Sequence, residues 1–341
     1  MSEATGPSPA MLQGVLARAI EIDGGPTDRD LLEMGGLPVG PVASAGTRGW
    51  VLAHEHPGRA LGPALGWART RGVDDLTLYA TEAHAAQVLE RRNRAMGSLA
   101  RVLSVEGAQL AEVQPAAPEP TAHIEAPEFT RLAERLGLMV SPEHDHLSLE
   151  YRGLEVGRIQ LLDGAAVLDV GVGHNDQVMS AVMHAGRDQS EVLADAVERI
   201  KDHRRPGADP HPVNRLARER WLRAVVIAEP ALVGATEVWP IAPVDPRTSI
   251  KELVPAPALC SMQAEAGSEP RTGVVVCSVG IDPDLVPTAA DIRGVRALEP
   301  DAPLVLVIPE RDRHDFVTRM AERLAGTRIV TVTPPWEMPP A

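Results

Sequence analysis

Hydrophobic positions in the first third of the chain alternate between helical and strand periods. Apolar residues recur at helical spacing from residue 59 until a glycine at 72, which predicts a helix over 59–72. Residues 75–80 form a short buried strand, and Thr81 is a natural N-cap for the next helix. A second strand is predicted at 101–105. Alternating helices and strands indicate parallel pairing, whereas residues 1–48 lack periodicity and are predicted to be a flexible N-terminal arm.

Strand periodicity dominates the middle of the chain, after a proline-rich segment at 114–120 that we interpret as a linker. Helices are predicted on either side of this region. Between them, the turn pairs Arg152-Gly153 and Asp163-Gly164 separate alternating segments. The predicted elements are helices at 127–136 and 190–203 and strands near 147–151, 154–161 and 166–172. Short turns between neighbouring strands indicate an antiparallel meander.

The last part of the chain follows a second proline-rich boundary at 205–212. A helix capped by Asn214 runs to about residue 228, and a long proline-punctuated segment follows it. The remaining predicted elements are strands at 274–279, 304–308 and 328–332 and a helix at 312–324. We therefore expect an α/β protein with two mixed α/β domains. The predicted organisation is an arm at 1–48, a domain with the meander at 49–205, a second domain at 206–333 and a Pro-rich tail at 334–341.

Composition narrows the function classes. The 341 residues carry 33 Lys+Arg and 47 Asp+Glu, which gives a formal net charge of -14. This balance argues against a general nucleic-acid coat protein or a membrane-surface binder. Two cysteines, Cys260 and Cys277, exclude a disulfide scaffold and suit a reducing compartment. The apolar runs are too short to span a bilayer and no secretion signal is visible, so we expect a cytoplasmic protein without a membrane partner.

The elements after residue 206 follow a distinctive order. A helix carrying Glu219-Arg220-Trp221-Leu222 leads to Pro230-Ala231-Leu232-Val233-Gly234, and a strand at 273–279 and a closing strand–helix–strand follow. This order resembles the PD-(D/E)XK nuclease superfamily, particularly the branch with an E-x-x-L … P-x-L-x-G helix before its catalytic hairpin. The resemblance implies a restriction-endonuclease-like fold for the second domain.

The resemblance also implies where catalytic groups should stand. In that fold an Asp and a Glu on adjacent strands hold a divalent cation, and a lysine two positions after the second acid polarises water. Here the second strand reads Cys277-Ser278-Val279, and the segment at 247–251 lacks the first acid. Glu219 alone matches a family acid, and it could instead pair with Arg215 and Arg223. The resemblance therefore implies lost nuclease chemistry and no cofactor, with Mg²⁺ as the alternative.

Positive charge is concentrated between residues 199 and 223, where eight basic residues stand against three acids. Guanidinium groups donate paired hydrogen bonds to phosphate oxygens, so this run is a candidate nucleic-acid-binding surface. The candidate residues are Arg199, Lys201, Arg204, Arg205, Arg215, Arg218 and Arg223. The alternative is a surface that pairs with the chain's own acids. Trp221 has core spacing, so base stacking has little support.

Other polar groups give weaker candidates for a metal site. Glu155 and Asp169 fall on neighbouring predicted strands, ahead of His174 and Asp176, and are weak candidate catalytic acids together with Glu219. They would serve equally well as solvent-facing strand residues. Two His-x-His pairs could each supply two ligands, but both are predicted to lie at exposed turns. These pairs are His54 with His56, and His144 with His146 beside Glu143.

Three function classes follow from the sequence. The leading hypothesis is a non-catalytic, nuclease-like protein that binds nucleic acid or a nucleotide phosphate through the arginine-rich junction. The second is a metal-dependent phosphodiesterase or nuclease that uses Glu155 and Asp169. The third is an acidic scaffold for protein partners. Fold alone does not separate them, and the sequence leaves the oligomeric state open.

Overall fold

A computed structural model describes residues 7–183, 186–246, 254–262 and 269–338. The chain divides into two compact units. The first comprises residues 1–117 and 283–291, and the second comprises 118–282 and 292–341. The first change of unit falls inside the proline-rich segment at 114–120, whereas the predicted boundary at 205–212 lies within the second unit.

The first unit is built on a six-stranded mixed sheet with strand order β1-β2-β3-β4-β5-β6. Its elements are α1 (Pro9–Ile22), β1 (Glu33–Leu37), β2 (Gly40–Ala45), β3 (Arg48–Ala53), α2 (Leu61–Arg71), β4 (Asp75–Ala80), α3 (Ala83–Ala95), β5 (Arg101–Glu106) and β6 (Gln109–Glu112). Strands β3, β4 and β5 pair in parallel, and the outer strands pair antiparallel. The predicted α/β layer is confirmed in this unit.

Helix α1 and strands β1 and β2 occupy a segment that the sequence predicts to be a flexible arm, and from residue 9 that prediction is wrong. The Ser8 hydroxyl accepts a hydrogen bond from the Met11 amide and caps α1. Leu16 and Ile20 are fully buried in the core that contains Trp50. The helical spacing of these apolar residues stabilises α1, and the glycine-rich composition of the next strands hid them from prediction.

Residues 283–291 join the first unit through buried ion pairs to α3. The Arg91 Nε atom lies 2.9 Å from Asp291 Oδ1, and Arg92 Nη1 lies 2.5 Å from Asp284 Oδ2. The Asp284 carboxylate also accepts a 2.9 Å hydrogen bond from the Gly62 amide. All four charged side chains are almost completely buried, so this packing depends on correct pairing.

The second unit begins with a four-stranded antiparallel sheet of order β10-β9-β8-β7. Its elements are α4 (Pro127–Arg135), β7 (Met139–Pro142), β8 (Leu147–Tyr151), β9 (Leu154–Leu162), β10 (Ala165–Val170), α5 (His174–Met183) and α6 (Gln189–Lys201). The predicted meander is confirmed, with β7 as an additional strand. Residues on one face, including Leu149, Val156 and Ile159, pack against apolar residues of α4 and α6.

A five-stranded mixed sheet of order β11-β12-β13-β14-β15 completes the second unit. Its elements are α7 (Arg218–Ala228), β11 (Ala235–Pro240), β12 (Ala256–Met262), β13 (Thr272–Cys277), β14 (Leu304–Ile308), α9 (Asp315–Ala321) and β15 (Thr327–Thr331). Helix α8 (Leu285–Val295) lies between β13 and β14 in the chain, and its residues up to 291 belong to the first unit. The first three strands pair antiparallel, and β13, β14 and β15 pair in parallel. Leu222 and Val226 of α7 pack on this sheet.

The described residues thus form a mixed α/β protein with three open sheets. None of their helices combines the length and the apolar character that a bilayer crossing needs. The predicted tail at 334–341 packs in part against α7, because Pro335–Glu337 form a 3-10 turn and the Trp336 ring contacts the Trp221 ring at a centroid distance of 5.5 Å and a tilt of 53°.

Two hairpins of the antiparallel sheet use the same turn geometry in different surroundings. Arg152 and Gly153 have φ values of 48° and 77°, and Asp163 and Gly164 have 51° and 81°. A Cβ atom on Gly153 would overlap the backbone of Arg220 in α7, whereas none of the described atoms lies within 4 Å of a Cβ on Gly164. Glycine at 153 therefore allows the β8–β9 hairpin to approach α7.

We expect Gly153→Ala to destabilise the protein far more than Gly164→Ala. The change at 164 costs only left-handed backbone strain, about 1 kcal/mol. The change at 153 adds a steric clash with α7 and should cost roughly 3 kcal/mol or more. Denaturant unfolding of both variants measures the difference, and equal losses would contradict the proposed close packing.

Candidate functional site

The polar face of the antiparallel sheet carries the largest cluster of buried charged groups in the second unit. Strand register places Ser148 opposite Arg158 and Glu150 opposite Glu155. Helix α7 lies on this face, with its residues Arg220 and Arg223 directed at the sheet. Arg220 and Arg223 are three residues apart and therefore share one side of the helix.

Glu150 is the centre of this cluster. Its side chain is fully buried, and its Oε1 atom lies 2.6 Å from Arg220 Nη1. Arg223 Nη2 lies 2.9 Å from both Glu150 oxygens and donates a 3.0 Å hydrogen bond to Ser141. Arg220 also pairs with Glu143. Burial acts to lower the pKa of Arg220, but the charges of Glu150 and Glu143 raise it above its ordinary value, so the guanidinium stays charged.

Glu155 forms a second polar centre on the same face. Its Oε1 atom accepts hydrogen bonds from Arg158 Nη2 at 2.7 Å and Gln177 Nε2 at 3.0 Å. Its Oε2 atom accepts from Ser148 at 3.1 Å and lies 3.3 Å from His146 Nε2. Burial acts to raise the pKa of Glu155, but the hydrogen bond with His146 and the charge of Arg158 hold it well below its usual range. The carboxylate therefore stays ionised.

These contacts do not assemble the metal site that the sequence suggested for Glu155 and Asp169. Asp169 accepts a 2.7 Å hydrogen bond from Gln160, and both Glu155 oxygens already have partners. His146 contacts Asp145 and Glu155 through opposite edges of its ring, so these two acids cannot share one ion with it. Among the residues that the structure describes, no three His, Cys, Asp or Glu side chains are grouped to hold a metal ion.

The two His-x-His pairs do not form joint sites either. His144 Nδ1 lies 3.2 Å from the Pro120 carbonyl oxygen, away from the partners of His146. His54 Nδ1 lies 3.2 Å from the Thr81 hydroxyl, and His56 occupies a turn with φ 47°. The side chain of His174 lies outside the described residues. Asp176 accepts a 2.7 Å hydrogen bond from the Val172 amide and so closes the loop before α5.

The position that the resemblance assigns to a catalytic acid holds Cys277, which is buried in β13 as predicted. Burial raises the pKa of this thiol to about 12; the neighbouring Arg223 opposes the rise and Glu219 adds to it. Both charged residues therefore lie close to the thiol. Segment 247–251, where the first family acid should stand, lies outside the described residues.

A small cavity lies beside this position. Its volume is about 10 Å³, and its walls include Arg220, Arg223 and Pro257. A space of that size holds at most one water molecule. Arg223 donates a 3.2 Å hydrogen bond to the Pro257 carbonyl oxygen and so fills the space between α7 and β12.

The predicted phosphate-binding residues separate into buried and accessible groups. Arg204 is fully buried, stacks 4.4 Å above the Trp221 ring and donates to the carbonyl oxygens of four residues. Those carbonyls belong to Arg152, Val213, Leu216 and Ala217. Burial lowers the pKa of Arg204 to about 9. Arg204 and Arg223 are therefore structural, and the prediction that they bind phosphate is corrected by their burial.

The remaining candidates are accessible. Arg199, Arg205 and Arg215 are exposed, and Arg218 is half-buried. Lys201 is also half-buried and pairs with Glu198. No carboxylate among the described residues forms an ion pair with Arg199, Arg205, Arg215 or Arg218.

Arg218 lies in a crowded positive environment near the start of α7. Its guanidinium stacks 5.1 Å above the Trp336 ring and donates a 3.0 Å hydrogen bond to the Asn214 carbonyl. Burial lowers the pKa of Arg218, and the nearby Arg311 and Arg215 lower it further, while the charges of Glu219 and Glu337 act to raise it. Sequence reasoning missed Arg311, because it lies almost a hundred residues away and only folding brings it close.

Comparisons of this chain with protein-family models, with curated proteins and with solved structures found no match.

We expect Glu150→Gln to destabilise the second unit strongly, because it leaves Arg220 and Arg223 buried with too little negative charge. Breaking a buried ion pair costs about 3–5 kcal/mol. The control Glu198→Gln removes an exposed pair with Lys201 and should cost less than about 1 kcal/mol. Urea unfolding of both variants tests this, and similar small losses would show that Glu150 is dispensable.

The contacts of His146 predict a pH-dependent contribution to stability. Burial acts to lower its pKa, but the hydrogen bond and charge of Glu155, with help from Asp145, raise it above the ordinary value. The stabilisation is therefore complete below the unfolded-state pKa of about 6.5 and disappears as pH rises through the higher folded-state value.

We expect the gap in unfolding free energy between wild type and His146→Gln to be largest in acid and to shrink as pH rises through neutrality. Denaturant titrations at a series of pH values measure it. A gap that is constant, or that widens with pH, would mean that His146 is not held charged by Glu155.

Proposed function

We propose that residues 206–333 are a non-catalytic, nuclease-like domain and that the arginine-rich junction binds phosphate groups of nucleic acid or of a nucleotide. The proposal combines the resemblance in element order with two features of the site. One is that structural side chains occupy the position where the family would hold its metal. The other is a group of accessible arginines, three of which, Arg205, Arg215 and Arg218, form no ion pair with a described carboxylate.

The surroundings of Cys277 support the non-catalytic part. A buried thiol whose pKa is raised to about 12 is a poor ligand for magnesium, which requires oxygen donors. The adjacent Arg223 guanidinium, held by Glu150, would also repel a divalent cation at short range. We therefore assign a structural role to the buried charged side chains near Cys277.

The crowding of Arg215, Arg218 and Arg311 is the observation that carries the phosphate-binding part. Like charges raise the free energy of this surface, so a bound anion would relieve their repulsion. The Trp336 ring holds Arg218 in place, which reduces the entropy lost when its guanidinium binds a phosphate. Arg311 pairs with Glu337 at 2.5 Å and with Asp312 at 3.7 Å, and the charges of Glu219 and Glu337 partly offset the repulsion at Arg218. Among the described residues, no carboxylate forms an ion pair with Arg215 or Arg218.

Arg205 extends the same surface. The adjacent Arg204 binds the carbonyl oxygens of Val213 and Leu216, and this fixes residue 205 beside the segment that precedes α7. Exposed guanidinium groups from two chain segments are thus brought to one end of α7. Paired donors of this kind suit phosphate oxygens.

We expect the triple variant Arg205→Gln, Arg215→Gln, Arg218→Gln to bind a mixed-sequence DNA duplex at least about tenfold more weakly than wild type at low salt. Each lost phosphate contact also reduces the slope of log affinity against log salt by about one. Fluorescence anisotropy across a salt series measures both quantities.

A matched control removes three exposed arginines elsewhere in the same unit, at Arg131, Arg135 and Arg323. It changes the net charge equally but should retain most of the affinity. Equal losses of affinity in both triple variants would show that binding depends on net charge alone and not on these arginines. The absence of binding by the wild type at low salt would refute the proposal. Strand cleavage in Mg²⁺ or Mn²⁺ would refute its non-catalytic part.

A further inference from the structure

Helix α5 exposes a continuous apolar side. Val178 and Met179 are 50% and 57% exposed, and Val182 and Met183 are each 71% exposed. Each residue of the first pair is followed by one of the second pair four positions later, so the four side chains form one stripe. Scattered exposed apolar residues are ordinary, but a contiguous stripe of four marks a surface that meets a partner.

The inward anchoring of α5 explains why this stripe faces outward. Gln177 is buried and donates its amide to Glu155 at 3.0 Å. A Cβ atom on Gly171 would lie 2.6 Å from the backbone nitrogen of Gln177, so the loop before α5 also packs tightly against the start of the helix. The helix is thus held by a polar residue, and its apolar residues remain available.

A groove lies beside the stripe, between α5 and α6. Its volume is about 250 Å³; Met179 and Met183 line one wall, and Val192 and Ile200 lie on the side of α6. Val192 is 1% exposed, so the groove reaches the core. An apolar side chain from another surface can be buried here.

The charged groups of the groove are self-complementary. Asp176 lies on the α5 side and Arg199 on the α6 side. Arg199 uses Nε to bind the Asp195 carbonyl, and among the described residues it has no carboxylate partner. In a two-fold symmetric dimer, every contact between two different residues occurs twice, once in each direction. Asp176 of each copy can therefore pair with Arg199 of the other copy.

We infer that this surface, comprising the stripe and the α5–α6 groove, binds a second copy of the chain in an isologous dimer. The apolar stripe supplies the buried area, and the opposite charges on the two walls fix the orientation. Two copies that each carry a charge of -14 repel one another, so added salt should strengthen the dimer. Binding of a polyanion has the opposite salt dependence.

Sedimentation equilibrium of the full chain tests the inference. We expect a monomer–dimer equilibrium that shifts toward dimer as salt rises. The variant Val182→Glu, Met183→Glu should raise the dimer dissociation constant by about tenfold or more, because it places charges in an apolar contact. The control Met11→Glu changes a similarly exposed helical methionine, which is 55% exposed in the first unit, and should leave the equilibrium unchanged.

A second measurement traps the contact covalently. Both native cysteines are buried, so Val182→Cys introduces the one exposed thiol among the cysteines of the chain. Mild oxidation should crosslink two copies through this position, and Met11→Cys should not crosslink. A monomer at every concentration would overturn the inference, and so would a dimer unaffected by the changes at 182 and 183. The same holds if the stripe of a monomer binds lipid vesicles or another protein instead.

Discussion

The buried carboxylate of Glu150 is the contact that joins the two sheets of the second unit. It binds Arg220 and Arg223 of α7, whose other side packs Leu222 and Val226 on the five-stranded sheet. One helix is therefore held by charge on one side and by apolar burial on the other. The desolvation cost of the charges is offset only when every partner is in place, so the arrangement specifies the orientation of α7.

The pairing of Glu150 with Arg220 and Arg223 also determines which arginines of α7 are accessible to a ligand. The residues at 220 and 223 face the sheet, and Arg218, two positions earlier, lies on a different side of the helix. Arg204 reinforces the division, because it stacks on Trp221 and binds the carbonyl oxygens at the start of α7. The buried arginines hold the start of α7 in place, and the accessible arginines lie around it.

Local patterns predicted local structure well. The turn pairs at 152–153 and 163–164 identified the meander, and the spacing of Trp221 and the setting of Cys277 correctly placed both in the core. Strands β11 and β12 were missed, because prolines at their ends obscure the strand pattern.

The charged cluster was beyond sequence reasoning for a different reason. Glu150 and Arg220 are 70 positions apart, and nothing in either local pattern indicates that they meet. A basic run is ordinarily exposed, so Arg204 and Arg223 were assigned to the surface. The apolar residues that alternate with them in α7 were a signal that part of the run is interior, since a helix between two sheets must bury both of its sides.

The polar face of the antiparallel sheet explains the exposed apolar helix as well. Glu155 accepts hydrogen bonds from β8, from its own strand and from Gln177 of α5, so its negative charge is stabilised by side chains from three elements. Among the described side chains of α5, that of Gln177 donates a hydrogen bond to this cluster. A helix fixed by a buried polar contact does not have to bury its apolar side within its own chain. Its stripe of valine and methionine is consequently better explained by association than by folding.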